Sequence, residues 1–359
     1  MADTLLNSIK IKSKIKDYEV VFFEDILQKF HHELRDDDVV IIDKSVQNIY
    51  GQLLFKNFDP NRLITIQASE FQKSYQEIEQ IIDKLINLGF KKNNRLISIG
   101  GGITQDCVAF ISSILYRGVD WIFVPTTLLA QGDSCIGSKT SVNFGKYKNL
   151  IGGFYPPSKI LVSPIFLKSL QNKEIKSGLG EMLHYFIVSS EEDFNFFKDN
   201  YEKSLVDQKI LQKIISKSLQ IKKRYIEIDE FDKNERQVFN YGHSFGHAIE
   251  SLQNYEIPHG IAVSFGMDIS NYVSSKMGLI DDSIRIEIRE ILQKIWSGYC
   301  IKNIETGAFI NALSKDKKNV GDKLGLILNE GYGSIKKHLI YPDDKFVDHI
   351  KNYFKDELI

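Results

Sequence analysis

The first part of the chain alternates short apolar runs with segments whose apolar residues have helical spacing. The apolar runs predict strands at 18–23, 38–43, 63–67, 95–102 and 121–125. The intervening segments predict helices at 46–55, 72–88 and 107–118. In the second helix Ile78, Ile81, Ile82 and Leu85 recur at steps of three and four residues. This alternation of strands and helices predicts an α/β domain with a parallel sheet.

The pattern changes after about residue 166, where helical spacing dominates. Helices are predicted at 167–173, 178–188, 192–205, 210–228, 242–252, 260–277 and 282–295, and the best strand candidate is 324–331. A length of 359 residues is compatible with about two domains. We therefore expect an α/β domain over residues 1–165 and a mainly helical domain over residues 166–359.

Composition and charge exclude several classes of protein. The 46 basic and 47 acidic residues leave a formal charge of -1, which argues against a nucleic-acid partner bound through bulk charge. Three cysteines without CxxC spacing argue against a disulfide framework or a thiolate zinc site, and they favour a reducing compartment such as the cytoplasm. No apolar run reaches the roughly 18 residues of a membrane span, so no membrane association is expected.

Two polar segments of the α/β domain are candidates for ligand binding. Gly100–Gly102 follow a predicted strand and Asp106 comes soon after, an arrangement that lets the backbone approach a pyrophosphate. The segment is not GxGxxG, so a plain tight turn is an equal interpretation. The long block 125–155 carries Asp133, Lys139, Lys148 and Asn149, which suit hydroxyl and phosphate oxygens. Its alternative is a solvated loop, although the interleaved apolar residues argue against disorder.

Metal-binding residue types cluster in the helical domain. His184, His243, His247 and His259 fall within 76 residues, and Glu181 precedes them. Two histidines and one carboxylate with an open position are typical of catalytic Zn²⁺. HSFGH lacks the glutamate of HExxH, so protease chemistry is not supported. Any one of these histidines alone is better explained as structural, whereas the set favours a metal.

Two cations close to this cluster suit a carboxylate ligand. Lys222 and Arg236 are joined by an acidic turn and lie near the HSFGH segment in sequence. For either residue alone, a solvated charge on a helix face is the better interpretation.

Six sequence motifs, in this order, resemble the 3-dehydroquinate synthase family and the wider sugar phosphate cyclases. They are GGGITQD (100–106), YRG (116–118), VPTTLLAQGDSCIGSKTSVN (124–143), KNLIGGFY (148–155), NYGHSFGHAIE (240–250) and HGIAV (259–263). The resemblance runs from about Val39 to Gly325. It implies an N-terminal Rossmann-like domain that binds NAD, a C-terminal helical domain that binds Zn²⁺ or Co²⁺, an active site in the cleft between them, and a homodimer.

The resemblance also implies a role for each matching residue. The metal ligands would be Glu181, His243 and His259. NAD would contact Asp43, Glu70, Lys73, Gly101, Gly102, Asp106, Thr126, Thr127 and Leu129, with Lys148 and Ser169 nearby. The substrate phosphate would be held by Lys139, Asn149, Asn240, His247, Lys317 and, from the neighbouring subunit, Arg117. The substrate carboxylate would lie between Lys222 and Arg236, and Asp133 would orient ring hydroxyls.

The chemistry implied by the resemblance is a redox-neutral phosphate elimination followed by ring closure. NAD⁺ oxidises one carbinol of a bound sugar acid, phosphate leaves by elimination, NADH returns the hydride, and an intramolecular aldol closes the carbocycle. The substrate would be 3-deoxy-D-arabino-heptulosonate 7-phosphate and the product 3-dehydroquinate, on the shikimate route to aromatic amino acids. The enzyme would be a carbon–oxygen lyase that uses small molecules alone as substrates.

The chain departs from the family pattern at a few positions. GEMLH places His184 where the family has a substrate-binding lysine, and Ile261 stands where the family has a glutamate. Gln105 and Gly132 differ too, and Glu70 and Lys73 lie in ASEFQKS instead of a DGE segment followed by lysine.

These departures keep three alternatives open. One is a cyclase acting on a different phosphorylated sugar acid in secondary metabolism or glycan synthesis. The second is an NAD-dependent polyol dehydrogenase of the same fold. The third is a non-catalytic relative. The retained Lys222 and Arg236 favour a substrate that is an acid.

Overall fold

A computed structural model of the chain describes residues 8–145, 147–302, 304–316 and 318–358. The chain divides into two compact units, Met1–Leu170 with Ile215–Phe231, and Gln171–Ile214 with Asp232–Ile359. The first change of unit falls close to the predicted boundary at residue 165. The return of 215–231 to the first unit had no signal in the sequence, because the helix that carries it has uniform helical spacing.

The described strands of the first unit form a seven-stranded sheet and a separate hairpin. They are β1 (Ser8–Ile11), β2 (Tyr18–Phe22), β3 (Val39–Asp43), β4 (Leu63–Ile66), β5 (Arg95–Gly100), β6 (Asp120–Pro125), β7 (Lys139–Phe144), β8 (Tyr147–Phe154) and β9 (Lys159–Val162). The order in the sheet is β1-β2-β9-β6-β5-β3-β4. Only β1 runs antiparallel to its neighbour. Strand β5 is buried along its whole length, as expected of an inner strand covered on both faces.

Three helices complete the described α/β part of this unit. They are α1 (Lys44–Leu54), α2 (Tyr75–Asn87) and α3 (Gly102–Ile114). The predicted strands and the first two predicted helices are confirmed. Helix α3, however, begins at Gly102 and not at residue 107, because Gly101 is extended and acts as the N-cap directly after β5. After α3 the chain makes a tight turn in which Tyr116 and Arg117 have positive φ angles of 51° and 63°.

The interpretation of 125–155 as a solvated loop is wrong. Ala130–Ser134 form a π-helical turn, and β7 pairs antiparallel with β8 from Lys139↔Phe154 to Phe144↔Tyr147. Side chains of β7 alternate in burial with one irregularity. The sequence did not indicate this hairpin. Strand β8 is mostly exposed, so it lacks the alternation of buried and exposed residues that predicts a strand.

The second unit is mainly helical, as the pattern predicts. Its described elements are α4 (Asn172–Ser189), α5 (Glu191–Ser204), α7 (His243–Leu252), α8 (His259–Lys276), α9 (Asp282–Trp296), α10 (Thr306–Ser314), β10 (Leu324–Asn329), β11 (Ile335–Ile340) and α11 (Asp344–Asp356), and α6 (Gln208–Ile228) belongs to both units. Residues 167–173 and 178–188 do not form two α-helices; Pro164–Ser169 form a 3₁₀ turn and α4 is continuous. No helix among the described residues has the length and apolar character needed to cross a bilayer.

Helix α8 is the centre of the second unit. Residues 260–274 are buried on every side, as is typical of a helix surrounded by others. Glycines let its neighbours approach to backbone distance. A Cβ on Gly260 would lie 1.8 Å from the carbonyl oxygen of Ser177 in α4, and a Cβ on Gly266 would lie 2.0 Å from that of Gly242, just before α7. The three helices therefore cross where no larger residue fits.

We expect Gly266→Ala to lower the free energy of unfolding by about 1–3 kcal/mol or more, because its methyl group overlaps backbone that cannot rotate away. The matched control is Gly307→Ala in α10, where nothing lies within 4 Å of the added Cβ and helix propensity favours alanine. Thermal and urea unfolding of both variants measure the difference. Equal stability of the two variants would contradict the close helix crossing.

Candidate active site

Three side chains from three helices of the second unit converge. Glu181 lies in α4, and His243 and His259 are the first residues of α7 and α8. Nε2 of His243 is 3.2 Å from one carboxylate oxygen of Glu181, and Nε2 of His259 is 3.4 Å from the other. Helix α7 begins directly after Gly242, which has a left-handed φ of 80°, and α8 begins directly after Pro258.

The carboxylate at the centre of this set is buried. The side chain of Glu181 is 5% exposed, against 13% for His243 and 35% for His259. Burial alone would raise the pKa of Glu181, but the facing rings of His243 and His259 hold it well below its ordinary value. The carboxylate is therefore ionised, and such a buried negative charge requires a positive group beside it.

The donor set fits a divalent metal ion. One ligand atom from each of the three residues lies within 4.8 Å of the others. Histidine nitrogens and a carboxylate oxygen are ligands that Zn²⁺ takes in catalytic sites. Two imidazole nitrogens and one carboxylate leave a coordination position for substrate or water.

Each histidine of the set has a second partner for its other ring nitrogen. Nδ1 of His243 is 3.2 Å from the carbonyl oxygen of Tyr241, whose buried hydroxyl donates to Asn271. Nδ1 of His259 is 3.1 Å from a carboxylate oxygen of Glu250 in α7. The sequence reasoning missed Glu250. Its spacing of seven residues from His243, which places both on one helix face, was the available signal.

His184 and Ile261, the two departures from the family pattern near the metal donors, have different surroundings. His184 is buried in α4, with Nδ1 4.0 Å from a carboxylate oxygen of Glu181 and its ring against Phe239. Ile261 is fully buried in the apolar core of the unit with Phe245 and Phe265. Position 184 therefore faces the donor set, whereas position 261 contributes to core packing.

The other described residues predicted in the second unit lie in α7 or in the 3₁₀ turn before it. The ring of His247 is 5.5 Å from that of His243 and 5.7 Å from that of His259. Asn240 ends the 3₁₀ turn Glu235–Asn240, where its amide donates to the carbonyl of Gln237. Arg236 is buried in the same turn. Lys317 lies outside the described residues.

In the first unit, predicted residues follow the carboxyl ends of neighbouring parallel strands. Asp43 ends β3 and caps α1, Gly101 and Gly102 follow β5, and Thr126 and Thr127 follow β6. Leu129 and Ser169 lie just beyond, in the turn after β6 and in the 3₁₀ turn after β9. Strand order reverses between β3 and β5, and ligands of such sheets bind beyond the strand ends at that point.

The start of α3 suits a phosphate group. Gly101, the N-cap, offers no capping side chain, so the first amides of a 13-residue helix have no side-chain acceptor. A Cβ on Gly101 would lie 2.8 Å from the methyl group of Thr127. The missing side chain of Gly101 therefore lets Thr127 pack against the start of α3, and the uncapped helix amides suit a phosphate group.

A polar network joins the hairpin to α3. Nζ of Lys73 is 2.5 Å from a carboxylate oxygen of Asp106 and donates to Oδ1 of Asn149 at 2.6 Å. Burial raises the pKa of Asp106 although Lys73 and Ser141 act in the opposite direction. Asn149, expected with the substrate phosphate, is thus brought together with two residues expected at NAD. Glu70 lies at the edge of this network, with its carboxylate 3.9 Å from Nζ of Lys148.

Asp133 and Lys222 form a pair that the sequence did not indicate. Nζ of Lys222 donates to the carboxylate of Asp133 at 2.6 Å and to its carbonyl oxygen at 2.7 Å. Lys222 lies in the part of α6 that belongs to the first unit and is 6% exposed. Lys139 begins β7 with an exposed side chain, and Arg117 is exposed in the turn after α3. Lys222, Lys139 and Arg117 therefore lie on separate elements of the first unit.

Two sequence models of one family match consecutive parts of the chain. A sequence model described as 3-dehydroquinate synthase N-terminal matches residues 63–177, and one described as 3-dehydroquinate synthase C-terminal matches residues 178–319. A 3-dehydroquinate synthase of Campylobacter concisus is 34% identical over 330 residues, covering 91% of this chain and 93% of its own. That of Alkaliphilus metalliredigens is 33% identical over 313 residues, covering 86% and 88%.

Solved structures share the fold. A 2-deoxy-scyllo-inosose synthase complexed with carbaglucose-6-phosphate, NAD⁺ and Co²⁺ has a TM-score of 0.85 at 23% identity, over 95% of this chain and 98% of its own. A 2-epi-5-epi-valiolone synthase from Streptomyces hygroscopicus, with NAD⁺ and Zn²⁺ bound, has a TM-score of 0.83 at 23% identity, over 95% and 97%. A glycerol dehydrogenase from Schizosaccharomyces pombe is more distant, with a TM-score of 0.62 at 13% identity, over 92% and 87%.

We expect His243→Ala to abolish metal retention, because it removes a donor that lies 3.2 Å from the carboxylate of Glu181. The control is His338→Ala in β11, a histidine of the same unit that pairs with Glu330. Elemental analysis after gel filtration measures the bound metal. Full metal content in the His243 variant would show that the metal binds elsewhere.

Proposed function

Because the chain belongs to the 3-dehydroquinate synthase family, we propose that it converts 3-deoxy-D-arabino-heptulosonate 7-phosphate into 3-dehydroquinate and inorganic phosphate. The cofactors would be NAD⁺ and a divalent metal ion, Zn²⁺ or Co²⁺. The observation that carries the proposal is the donor set of Glu181, His243 and His259, in a chain whose two parts both match the family. The reaction would belong to the shikimate route to aromatic amino acids.

Glu181, His243 and His259 would hold the metal ion, and the residues at the ends of β3, β5 and β6 would hold NAD⁺. When bound, the metal ion would supply Lewis-acid polarisation of a substrate oxygen, and NAD⁺ would supply a reversible hydride acceptor. The overall reaction would be redox-neutral, with phosphate lost by elimination. The residues of the chain would bind and orient the sugar acid.

The substrate phosphate would be bound by cations and neutral donors. Lys139 and Asn149 lie on the hairpin, Asn240 lies just before α7, and His247 lies within α7. A lysine acts on a phosphate as a point charge, and an amide adds a directional hydrogen bond. Lys317 would join this set, as the family motif implies.

The substrate carboxylate would be bound by Lys222 and Arg236. Both side chains are buried, which makes a charge-assisted hydrogen bond to either of them strong. Lys222 already pairs with Asp133. When substrate binds, the ammonium group of Lys222 would therefore contact both the carboxylate of Asp133 and that of the substrate. Oxygens of Asp133 would then accept hydrogen bonds from ring hydroxyls. This arrangement favours a sugar phosphate that bears a carboxylate over one that lacks it.

A second candidate function is a cyclase that acts on a different phosphorylated sugar acid. His184 is the observation that favours it, because a short imidazole stands 4.0 Å from Glu181 in place of a long, fully charged lysine. A polyol dehydrogenase has no comparable support. The likeness to glycerol dehydrogenases at 13% identity concerns the fold alone.

We also propose a homodimer in which Arg117 completes the partner's phosphate site. Arg117 is exposed and held at a positive φ in the turn after α3. The first unit exposes apolar side chains on α2, on α3 and the turn after it, and on the hairpin, namely Tyr75, Ile114, Tyr116, Phe144 and Tyr147. A groove here is lined by Tyr75, Ile78, Ile82 and Ile114, with the acidic Glu79 and Asp83 beside them. Such a patch suits a second copy of the chain.

We place the enzyme in the cytoplasm. Cys107, Cys135 and Cys300 are all free thiols, and burial raises the pKa of Cys107 and of Cys135 to about 12. Thiols that are kept protonated and unpaired fit a reducing compartment.

We expect purified protein with Zn²⁺ or Co²⁺ and a catalytic amount of NAD⁺ to release phosphate from 3-deoxy-D-arabino-heptulosonate 7-phosphate, without net accumulation of NADH. Phosphate release, NADH absorbance and chromatographic identification of 3-dehydroquinate measure the reaction, and His243→Ala is the inactive control. Protein that binds NAD and metal but releases no phosphate would favour the second candidate. Stoichiometric NADH formation from a polyol would overturn both cyclase functions.

We expect a mixture of Arg117→Ala and His243→Ala chains to regain activity that neither variant has alone. Random pairing places an intact Arg117 beside an intact metal set in about one quarter of the sites. The control mixture is His243→Ala with His259→Ala, which share one donor set and cannot complement each other. Phosphate release after subunit exchange measures the gain. Absence of any gain would contradict a contribution of Arg117 across the dimer.

A further inference from the structure

The two ring nitrogens of His259 face two different carboxylates of the second unit. Nε2 lies 3.4 Å from Glu181, and Nδ1 lies 3.1 Å from Glu250. Glu181 is on α4 and Glu250 is near the end of α7, so the ring at the start of α8 lies between two helices. Its orientation is therefore fixed from both sides.

A histidine that binds a metal through one nitrogen needs an acceptor for the N–H of the other. That acceptor selects the tautomer, fixes the ring plane and makes the ligating nitrogen more basic. His243 has a neutral acceptor, the carbonyl oxygen of Tyr241 at 3.2 Å. His259 has a carboxylate, which accepts a stronger hydrogen bond than a carbonyl.

We propose that Glu250 is a positioning residue that orients His259 and raises the affinity of the site for its metal ion. This inference rests on the proposed metal site and deepens it. Glu250 would not touch substrate or metal, and it would act only through the imidazole of His259.

The burial of Glu250 supports this role. The side chain is 13% exposed and therefore well shielded from water, while His259 is more exposed, at 35%. A carboxylate here steadies the more accessible of the two histidine ligands.

A competing role for Glu250 is direct ligation. Glu250, His247 and His259 also offer donor atoms within 4.8 Å of one another. We favour the positioning role because Glu181 is the more deeply buried carboxylate and faces both His243 and His259. Direct ligation would change the coordination of the metal, so it can be distinguished from positioning by spectroscopy.

The test compares Glu250→Ala and Glu250→Gln with the unaltered chain, each prepared without metal. Zinc dissociation constants are measured by competition with a chelating indicator. The absorption spectrum of the Co²⁺-loaded protein reports its coordination. We expect Glu250→Ala to weaken zinc binding by about 10- to 100-fold, with a Co²⁺ spectrum of unchanged type. Glu250→Gln keeps an acceptor without its charge and should weaken binding less.

The matched control is Glu256→Ala, which removes an exposed carboxylate from the segment between α7 and α8. It should leave zinc affinity unchanged. Thermal unfolding of the metal-free proteins separates positioning from a purely structural role, which would lower stability without a change in zinc affinity.

An unchanged zinc constant in Glu250→Ala would overturn the proposal. A loss in Glu250→Gln equal to that in Glu250→Ala, together with an altered Co²⁺ spectrum, would also overturn it and show direct ligation. These readouts do not depend on the substrate. An unaltered chain that binds zinc but releases no phosphate overturns the proposed function alone.

Discussion

The close crossing of α4, α7 and α8 is the constraint on which the candidate site depends. At Gly260 a single methyl group would fall 1.8 Å from the backbone of α4, and at Gly266 it would fall 2.0 Å from the backbone before α7. Only glycine permits these approaches, and they set Glu181 beside the first residues of the other two helices. With the backbones this close, the side-chain nitrogens of His243 and His259 lie 3.2 and 3.4 Å from the carboxylate oxygens of Glu181.

This packing buries the negative charge of Glu181, which the neighbouring histidines compensate. A carboxylate buried in a helical core is unfavourable unless positive charge or hydrogen bonds compensate it. Glu181 is surrounded by His243, His259 and, at 4.0 Å, His184. The same residues also form a donor set that suits a cation. The substitution at position 184 therefore acts at the charge balance of the site, whereas that at position 261 changes core packing.

The first unit organises its candidate ligands by a different principle. Parallel strands end at a common edge, so Asp43, the glycines before α3 and the threonines after β6 are brought together by topology. The hairpin adds Lys139 and Asn149, and the Lys73–Asp106 pair fixes Asn149 in place. Metal donors thus depend on close helix packing, and the NAD-binding candidates depend on strand order.

The sequence alone determined the fold class and the family, and it predicted Glu181, His243 and His259 as candidate metal donors. Apolar periodicity reports burial of one face, and GGGITQD and NYGHSFGHAIE are specific enough to identify a family. It did not show the early start of α3, the hairpin in 125–155, the Asp133–Lys222 pair or Glu250 beside His259. Those features depend on contacts between residues far apart in the chain or on different elements, and only the tertiary structure decides such contacts.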